Sequence, residues 1–254
     1  MTKNVKPRIL ISNDDGINAH GIKVLEKIAH TFTDDVWVVA PEIEHSGAGH
    51  SLTLRRPIRA RKVSSQRYAV DGTPTDCVMV ALTKILKDNQ PTLMLSGINH
   101  GINIGDDITY SGTVAAAMEA TLLGVPSIAF SQAGKNDQPI KWSTAEHFAT
   151  DIIKKLIANP WPPYVLINVN FPDVVSSSVK GIRVVKQGVR TVRENLLDWF
   201  DPNGQPFYWI GPRDSTPTEE GTDLEAIANG EISITPLHLD LTHEKTLRNL
   251  KQVF

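Results

Sequence analysis

A chain of 254 residues, 41% hydrophobic and 21% charged, can build a sizeable core and lies within the single-domain range for an α/β protein. Its formal net charge of −2 argues against a general binder of polymeric nucleic acid or membrane surface, so an anionic ligand must be held by local devices. The opening Met1 to Pro7 does not read as a signal peptide, no run is long enough for a membrane span, and the one cysteine, Cys77, excludes an internal disulfide. A soluble cytoplasmic protein is expected.

Ile9–Ser12 reads as a buried strand that stops at Asn13-Asp14-Asp15-Gly16. From Gly21, apolar residues at Ile22, Leu25, Ile28, Ala29 and Phe32 keep helical spacing, and Val36–Ala40 is a β-rich run closed by Pro41. Strand, helix, strand in this length is a βαβ unit with parallel strands. Residues 42–53 form a polar, glycine-bearing loop, followed by a small β excursion at Ile58–Val63 and Tyr68–Val70. Thr73-Pro74-Thr75-Asp76 starts a helix, on which Cys77 reads as a buried small residue. Leu93–Ser96 is a strand that releases into Gly97–Asp107, rich in glycine and asparagine. Ser111-Gly112-Thr113 leads into a helix over Val114–Leu123, stopped by Gly124 and Pro126. Ser127–Ser131 is a fourth core strand, Ser143-Thr-Ala-Glu146 a capping box for a helix reaching Leu156, and Tyr164–Val169 a fifth strand.

This alternation predicts a doubly wound, Rossmann-like and mostly parallel sheet. After Pro172 the pattern changes: Ile182–Lys186 is strand-like, and an aromatic hairpin runs from Leu197 to Trp209 around Asn203-Gly204. A late strand at Ile232–Thr235 and a terminal helix at Glu244–Val253 follow. The expectation is one domain over 1–254, with 182–235 as a β extension inside it. The hairpin either folds onto its own core or packs on another subunit, since a lone hairpin is marginal in water.

Three loops that follow apolar strands carry the notable polar groups: Asn13-Asp14-Asp15, Ser46, and Asn99 with Asn103. In an open α/β sheet these loops meet beyond the carboxyl ends of the strands, where ligands bind. Adjacent carboxylates repel unless a cation or water screens them. With hydroxyl and amide oxygens, and no clustered Cys or His, the set favours one hard divalent cation such as Mg²⁺, Mn²⁺ or Ca²⁺ over a structural zinc. Asn, Asp and Gly are equally ordinary turn residues, so that stretch alone also fits a plain turn. Ser111-Gly112-Thr113 offers free N–H groups and two hydroxyls to an oxyanion, with simple N-capping as the alternative. A cation beside such a helix start suits hydrolysis of a phosphate ester. His45, His50 and His100 lie in these loops, as solvated residues or proton carriers. The Walker sequence, the G-x-S-x-G elbow and H-E-x-x-H are missing, and the dinucleotide fingerprint begun at Gly47-Ala-Gly49 fails at Leu52.

Taken in order, Ile9-Leu-Ile-Ser-Asn-Asp-Asp-Gly16, Ala40-Pro41 with Ser46-Gly47, Gly72-Thr-Pro-Thr-Asp-Cys77, Ser96-Gly-Ile-Asn-His-Gly-Ile-Asn103, Asp107 with Tyr110-Ser-Gly-Thr-Val-Ala-Ala116, and Ile232-Ser-Ile-Thr-Pro236 span nearly the whole chain. The set resembles the stationary-phase survival protein SurE family of metal-dependent nucleotidases. The resemblance implies a phosphatase for nucleoside monophosphates, with 3′-nucleotides and polyphosphate as further substrates. It implies metal ligands at Asp14, Asp15, Ser46 and Asn99, of which Asp14, Asp15 and Asn99 are catalytic. It places the phosphate at Ser111, Gly112 and Thr113 with Asn103 nearby. It also implies a homodimer or tetramer in which the carboxyl-terminal arm is exchanged. His45 before Ser46 and Ala120 after Glu119 depart mildly from the family pattern. Two rival readings are a nucleotide-binding module without chemistry and a scaffold in which the arm matters most.

Overall fold

The computed structural model describes residues 7–134, 138–189, 196–210 and 219–254. Its first unit is β1 (Ile9–Ser12), α1 (His20–Ala29) and β2 (Val36–Pro41), with β1 and β2 parallel. All four residues of β1 are buried, which is why the strand reads as an unbroken apolar run rather than an alternation. An excursion through β3 (Ala60–Ser64) and β4 (Arg67–Val70) adds β4 parallel to β2, with β3 antiparallel at the edge. Next comes α2 (Pro74–Val80), opened by a complete capping box between Thr73 and Asp76 and continued by a π-helical turn over Ala81–Ile85.

The chain then crosses to the other side of β1. There β5 (Leu93–His100), α3 (Gly112–Leu122), β6 (Ser127–Gln132), α4 (Trp142–Ala158) and β7 (Val165–Phe171) continue the parallel sheet. After β8 (Ile182–Val184), β9 (Leu196–Phe200), β10 (Pro206–Ile210) and α5 (Asp223–Ala228), the chain returns through β11 (Ile232–His238), antiparallel to β7, and ends in the exposed α6 (Glu244–Leu250). The order β3-β4-β2-β1-β5-β6-β7-β11-β8 reverses direction between β1 and β5. That reversal opens a crevice at their carboxyl ends, where a ligand binds in this class of sheet. The mostly parallel doubly wound sheet expected from the sequence is present.

Alternate residues of β1 feed two cores. Ile9 and Ile11 join Leu25, Ile152 and Phe130 under α1 and α4, whereas Leu10 joins Met94, Val114 and Ala116 under α2 and α3. The central strands of the sheet are thus covered on both faces, whereas β3 at one edge is exposed.

Two local expectations are corrected. The Ser143–Glu146 capping box does not form: α4 begins at Trp142 with Lys141 at its cap and no side-chain cap bond. Tertiary contacts start it earlier, since the Trp142 ring sits 5.4 Å from that of His20 and the Thr144 hydroxyl donates to the Val174 carbonyl. Glu146 instead lies 3.7 Å from Lys27 of α1. Next, β5 continues past Ser96 to His100, with a register shift between Ser96 and Asn99. The aromatic hairpin is present with Asn203-Gly204 in its turn, which runs through residues 201–205, and the Asp201 carboxylate accepts from the Asn203 and Gln205 N–H groups at 2.8 Å each. Within the 182–235 extension, residues 190–195 and 211–218 lie outside the described residues, as do Met1–Lys6. Among the described residues no helix is long and apolar enough to cross a membrane.

Candidate metal and phosphate site

Where β1 ends, the chain must turn to bring two successive carboxylates to one place. Gly16 takes a φ of +95°, a conformation costly for any other residue, and the Asn13 amide donates to the Gly16 carbonyl at 2.9 Å. The acid pair leaves this turn toward different partners. The Asp14 carboxylate accepts from the Thr113 hydroxyl at the start of α3, and Asp15 accepts from the His100 N–H at the end of β5, at 3.1 Å. One turn therefore bridges both sides of the crevice.

Asp14 is only 4% exposed, and its pKa is pushed up to about 6. Burial is the main cause and the Asp15 charge adds to it, while hydrogen bonds from Thr113 oppose the rise. Asp15 is raised too, by burial first and by Glu44, against the lowering effect of the His100 N–H. No lysine or arginine is among the groups that perturb either carboxyl. The Oδ1 atom of Asn13 is buried without a hydrogen-bond partner. Two destabilised carboxylates and an orphaned amide oxygen at one turn fit a hard cation, which would relieve all three.

The 42–53 loop is fastened over this turn. His45 N–H donates to the Asp14 carbonyl at 2.8 Å, Gly49 N–H to the Tyr110 carbonyl at 3.0 Å, and His50 Nε2 lies 3.0 Å from Glu119 Oε2 on α3. Thr53 N–H donates to Asp76 at 3.1 Å. Ser46 is exposed on the loop and its hydroxyl donates to Glu44 at 2.7 Å, which leaves its lone pairs available. Asp15, Glu44, Ser46, His20, His100 and Trp142 line a cleft of about 290 Å³. Asn99, next to His100, spends its amide N–H on the Gly101 carbonyl at 3.0 Å, so its Oδ1 is the atom open to a cation. A more apolar pocket of about 350 Å³, lined by Pro7, Leu93, Pro126 and Trp161, sits at the opposite, amino edge of the sheet, away from these groups.

At α3 the helix start lies hard against Asp14. A Cβ on Gly112 would stand 2.7 Å from the Asp14 Cβ, so only glycine allows this approach. Ser111 is the N-cap, accepting from Val114 N–H at 3.0 Å, and the Thr113 hydroxyl is engaged by Asp14. An oxyanion here would therefore meet backbone N–H groups and the Ser111 O–H rather than two idle hydroxyls. Asn103 is nearly buried, held by Ser131 on β6 and by Asn168 and Asn170 on β7. Asp223, at the start of α5, accepts from Gly105 N–H at 2.9 Å and from Gly188 N–H at 2.8 Å. These last supports went unnoticed in the sequence. The alternation Asn168-Val-Asn170 inside an apolar strand was the available signal.

A model for the family described as Survival protein SurE matches residues 9–194. The chain belongs to the SurE family. A relative from Paramagnetospirillum magneticum named 5′-nucleotidase SurE is 57% identical over 248 residues, covering 97% of this chain and 95% of its own. One of the same name from Parvibaculum lavamentivorans is 59% identical over 249 residues, covering 96% and 89%. The crystal structure of a SurE protein from Aquifex aeolicus superposes with a TM-score of 0.86 at 44% identity, over 97% of this chain and 99% of that one. The α/β architecture described above is thus that of a solved SurE protein.

Proposed function

We propose that this chain is a divalent-metal-dependent 5′-nucleotidase that hydrolyses nucleoside monophosphates to nucleoside and phosphate. The observation that carries the reading is the turn at the end of β1. It holds Asp14 and Asp15 together at the switch point, in a strained state of charge, with one carboxylate tied to an anion-gripping helix start. The names of relatives half or more identical over almost the full chain supply the substrate class.

In this reading Asp14, Asp15, Ser46 and Asn99 hold the cation, Mg²⁺ or Mn²⁺, with Ca²⁺ able to occupy the same oxygens. When bound, the cation supplies activation of the attacking water and neutralisation of phosphoryl charge. The Gly112 and Thr113 N–H groups, the Ser111 hydroxyl and Asn103 orient the phosphoryl oxygens and stabilise charge that grows on them in the transition state. Thr113 keeps Asp14 turned toward the cation and in its ionised form. Because these groups grip phosphate and cation rather than base or sugar, the reading extends to 3′-nucleotides and to polyphosphate ends. Self-association through the 182–235 arm, in a single domain otherwise spanning 1–254, is the remaining part of the proposal.

The test is a panel of AMP, GMP, 3′-AMP and polyphosphate against Mg²⁺, Mn²⁺ and Ca²⁺, read as phosphate release. Activity on 5′-monophosphates is expected with added metal and is expected to vanish with a chelator. Asp14→Asn and Asp15→Asn should each lower turnover by about a hundredfold or more while the fold persists. Near-normal turnover in either variant would sink the assignment.

A further inference from the structure

Asn168 and Asn170 stand in β7, a strand buried at nearly every position, where two amides are costly unless hydrogen-bonded, and three of their four side-chain polar atoms are, Asn168 Oδ1 alone having no partner. Their partners are not sheet neighbours but one loop residue on the carboxyl edge. Asn103 N–H donates to Asn170 Oδ1 at 2.8 Å. The Asn103 carbonyl accepts from Asn168 Nδ2 at 2.8 Å and from Asn170 Nδ2 at 3.1 Å. The Asn103 side-chain amide donates to Ser131 Oγ at 2.8 Å. Both backbone groups of Asn103 are thus held by side chains from sixty-five or more residues away in sequence.

Ser131 is the junction of this network. In the sheet it pairs with Asn99 on one side and with Asn170 on the other. A row therefore runs across the edge from the Asn99 position, through Ser131, to Asn170, with Asn103 fixed above it. Farther along the same loop, Asp223 and Gln187 hold the two backbone groups of Gly105. The Asn103 amide carries two N–H groups, of which one is spent on Ser131.

We infer that Asn168 and Asn170, with Ser131, are positioning residues that fix Asn103 for the phosphoryl group; this rests on the reading above that Asn103 faces that group. They touch neither cation nor substrate. Their effect falls on the phosphate side of the site, because the cation ligands Asp14, Asp15 and Ser46 hang on other elements, and Asn99, which pairs with Ser131 through the strand register, has its side chain held by the Gly101 carbonyl instead. Losing the support of a substrate-orienting group lowers binding and turnover together by about tenfold to a hundredfold, as for other outer supports and small misplacements.

The experiment compares Mn²⁺ affinity, inorganic phosphate affinity and AMP turnover in the wild-type chain and five variants. Asn168→Leu and Asn170→Leu should keep Mn²⁺ affinity and lose phosphate affinity and kcat/KM by that factor. Asn170→Asp, which keeps the acceptor for the Asn103 N–H, should fall between wild type and Asn170→Leu. Ser131→Ala removes one bond without emptying the strand, and should weaken phosphate several-fold even if a leucine variant fails to fold. Wild-type phosphate affinity in Ser131→Ala and Asn170→Asp would overturn the inference, as would equal loss of Mn²⁺ and phosphate, which marks a merely structural role. The fifth variant, Asn103→Ala, separates the two readings: if it behaves normally, the role of Asn103 itself is wrong. If it is impaired while the supporting variants are normal, only the positioning inference fails.

Discussion

At Asp14 the requirements of folding and of the site oppose one another. Its carboxyl titrates near 3.8 when solvated but at about 6 in the fold, because burial, with help from Asp15, outweighs the Thr113 hydrogen bonds. Between those two values the folded chain holds a proton that the unfolded chain has released. The contribution of Asp14 to metal-free stability is therefore most favourable below the ordinary carboxylate range, falls as pH rises, and is less favourable by roughly 3 kcal/mol above about pH 6. Asp15, raised in the same direction, adds to the loss. Metal-free Asp14→Asn should then resist urea better than metal-free wild type at pH 8, with the difference closing by about pH 4. Added Mn²⁺ should stabilise wild type and leave this variant unmoved. A wild-type urea midpoint in Asp14→Asn at pH 8 would refute the account. The acid pair was visible in the sequence because it ends an apolar run. Asn168, Asn170 and Asp223 were not, because polar residues in a strand or at a helix start have many uses, and their partners here lie far away along the chain.

Elements act on the site chiefly by carrying short loops to it, and the 42–53 loop shows how. It has no regular structure, yet it is fastened to the β1 turn, to Tyr110 ahead of α3, to α3 through His50 and Glu119, and to α2 through Asp76. The Glu119 carboxylate is mostly buried, so removing His50 leaves it without its partner and frees the middle of the loop. His50→Ala should raise the concentration of Mn²⁺ needed for half activity, with less effect on turnover at saturating metal, and His50→Gln should restore part of the affinity. An unchanged metal requirement in His50→Ala would show that the other three fastenings suffice. The sequence marked this loop as polar and placed it at the correct edge. It could not reveal the fastenings, which depend on the tertiary approach of α2 and α3. The same limit explains α4, where a good local capping pattern loses to the packing of Trp142 against the start of α1.

Across the whole molecule, one sheet covered on both faces of its central strands leaves a feature outside its plan. The β9–β10 ribbon pairs only with itself among the described residues, and both its faces are apolar. Phe207 opposite Trp199 and Trp209 opposite Leu197 lie on one face, with Ile210 opposite Leu196 on the other, and all of them are at least 40% exposed. A two-stranded ribbon is marginal alone, and an apolar patch of this kind marks a contact surface. The parallel core was legible because each strand and helix repeats the same local pattern; what covers the ribbon was not, because that information lies in whatever surface meets it. The arm proposal names a second copy of this chain as that surface. Replacing residues 196–210 with a short Gly-Ser link should lower the solution mass by a whole-number factor while Mn²⁺ affinity at Asp14 and Asp15 persists, since the ribbon forms a sheet of its own apart from β1. Trp199→Asp with Trp209→Asp should act in the same direction without shortening the chain. Light scattering coupled to size exclusion reads both, and an unchanged mass in the deletion would rule out the arm as the assembly contact. A mass that falls together with Mn²⁺ affinity would instead tie the arm to the site itself.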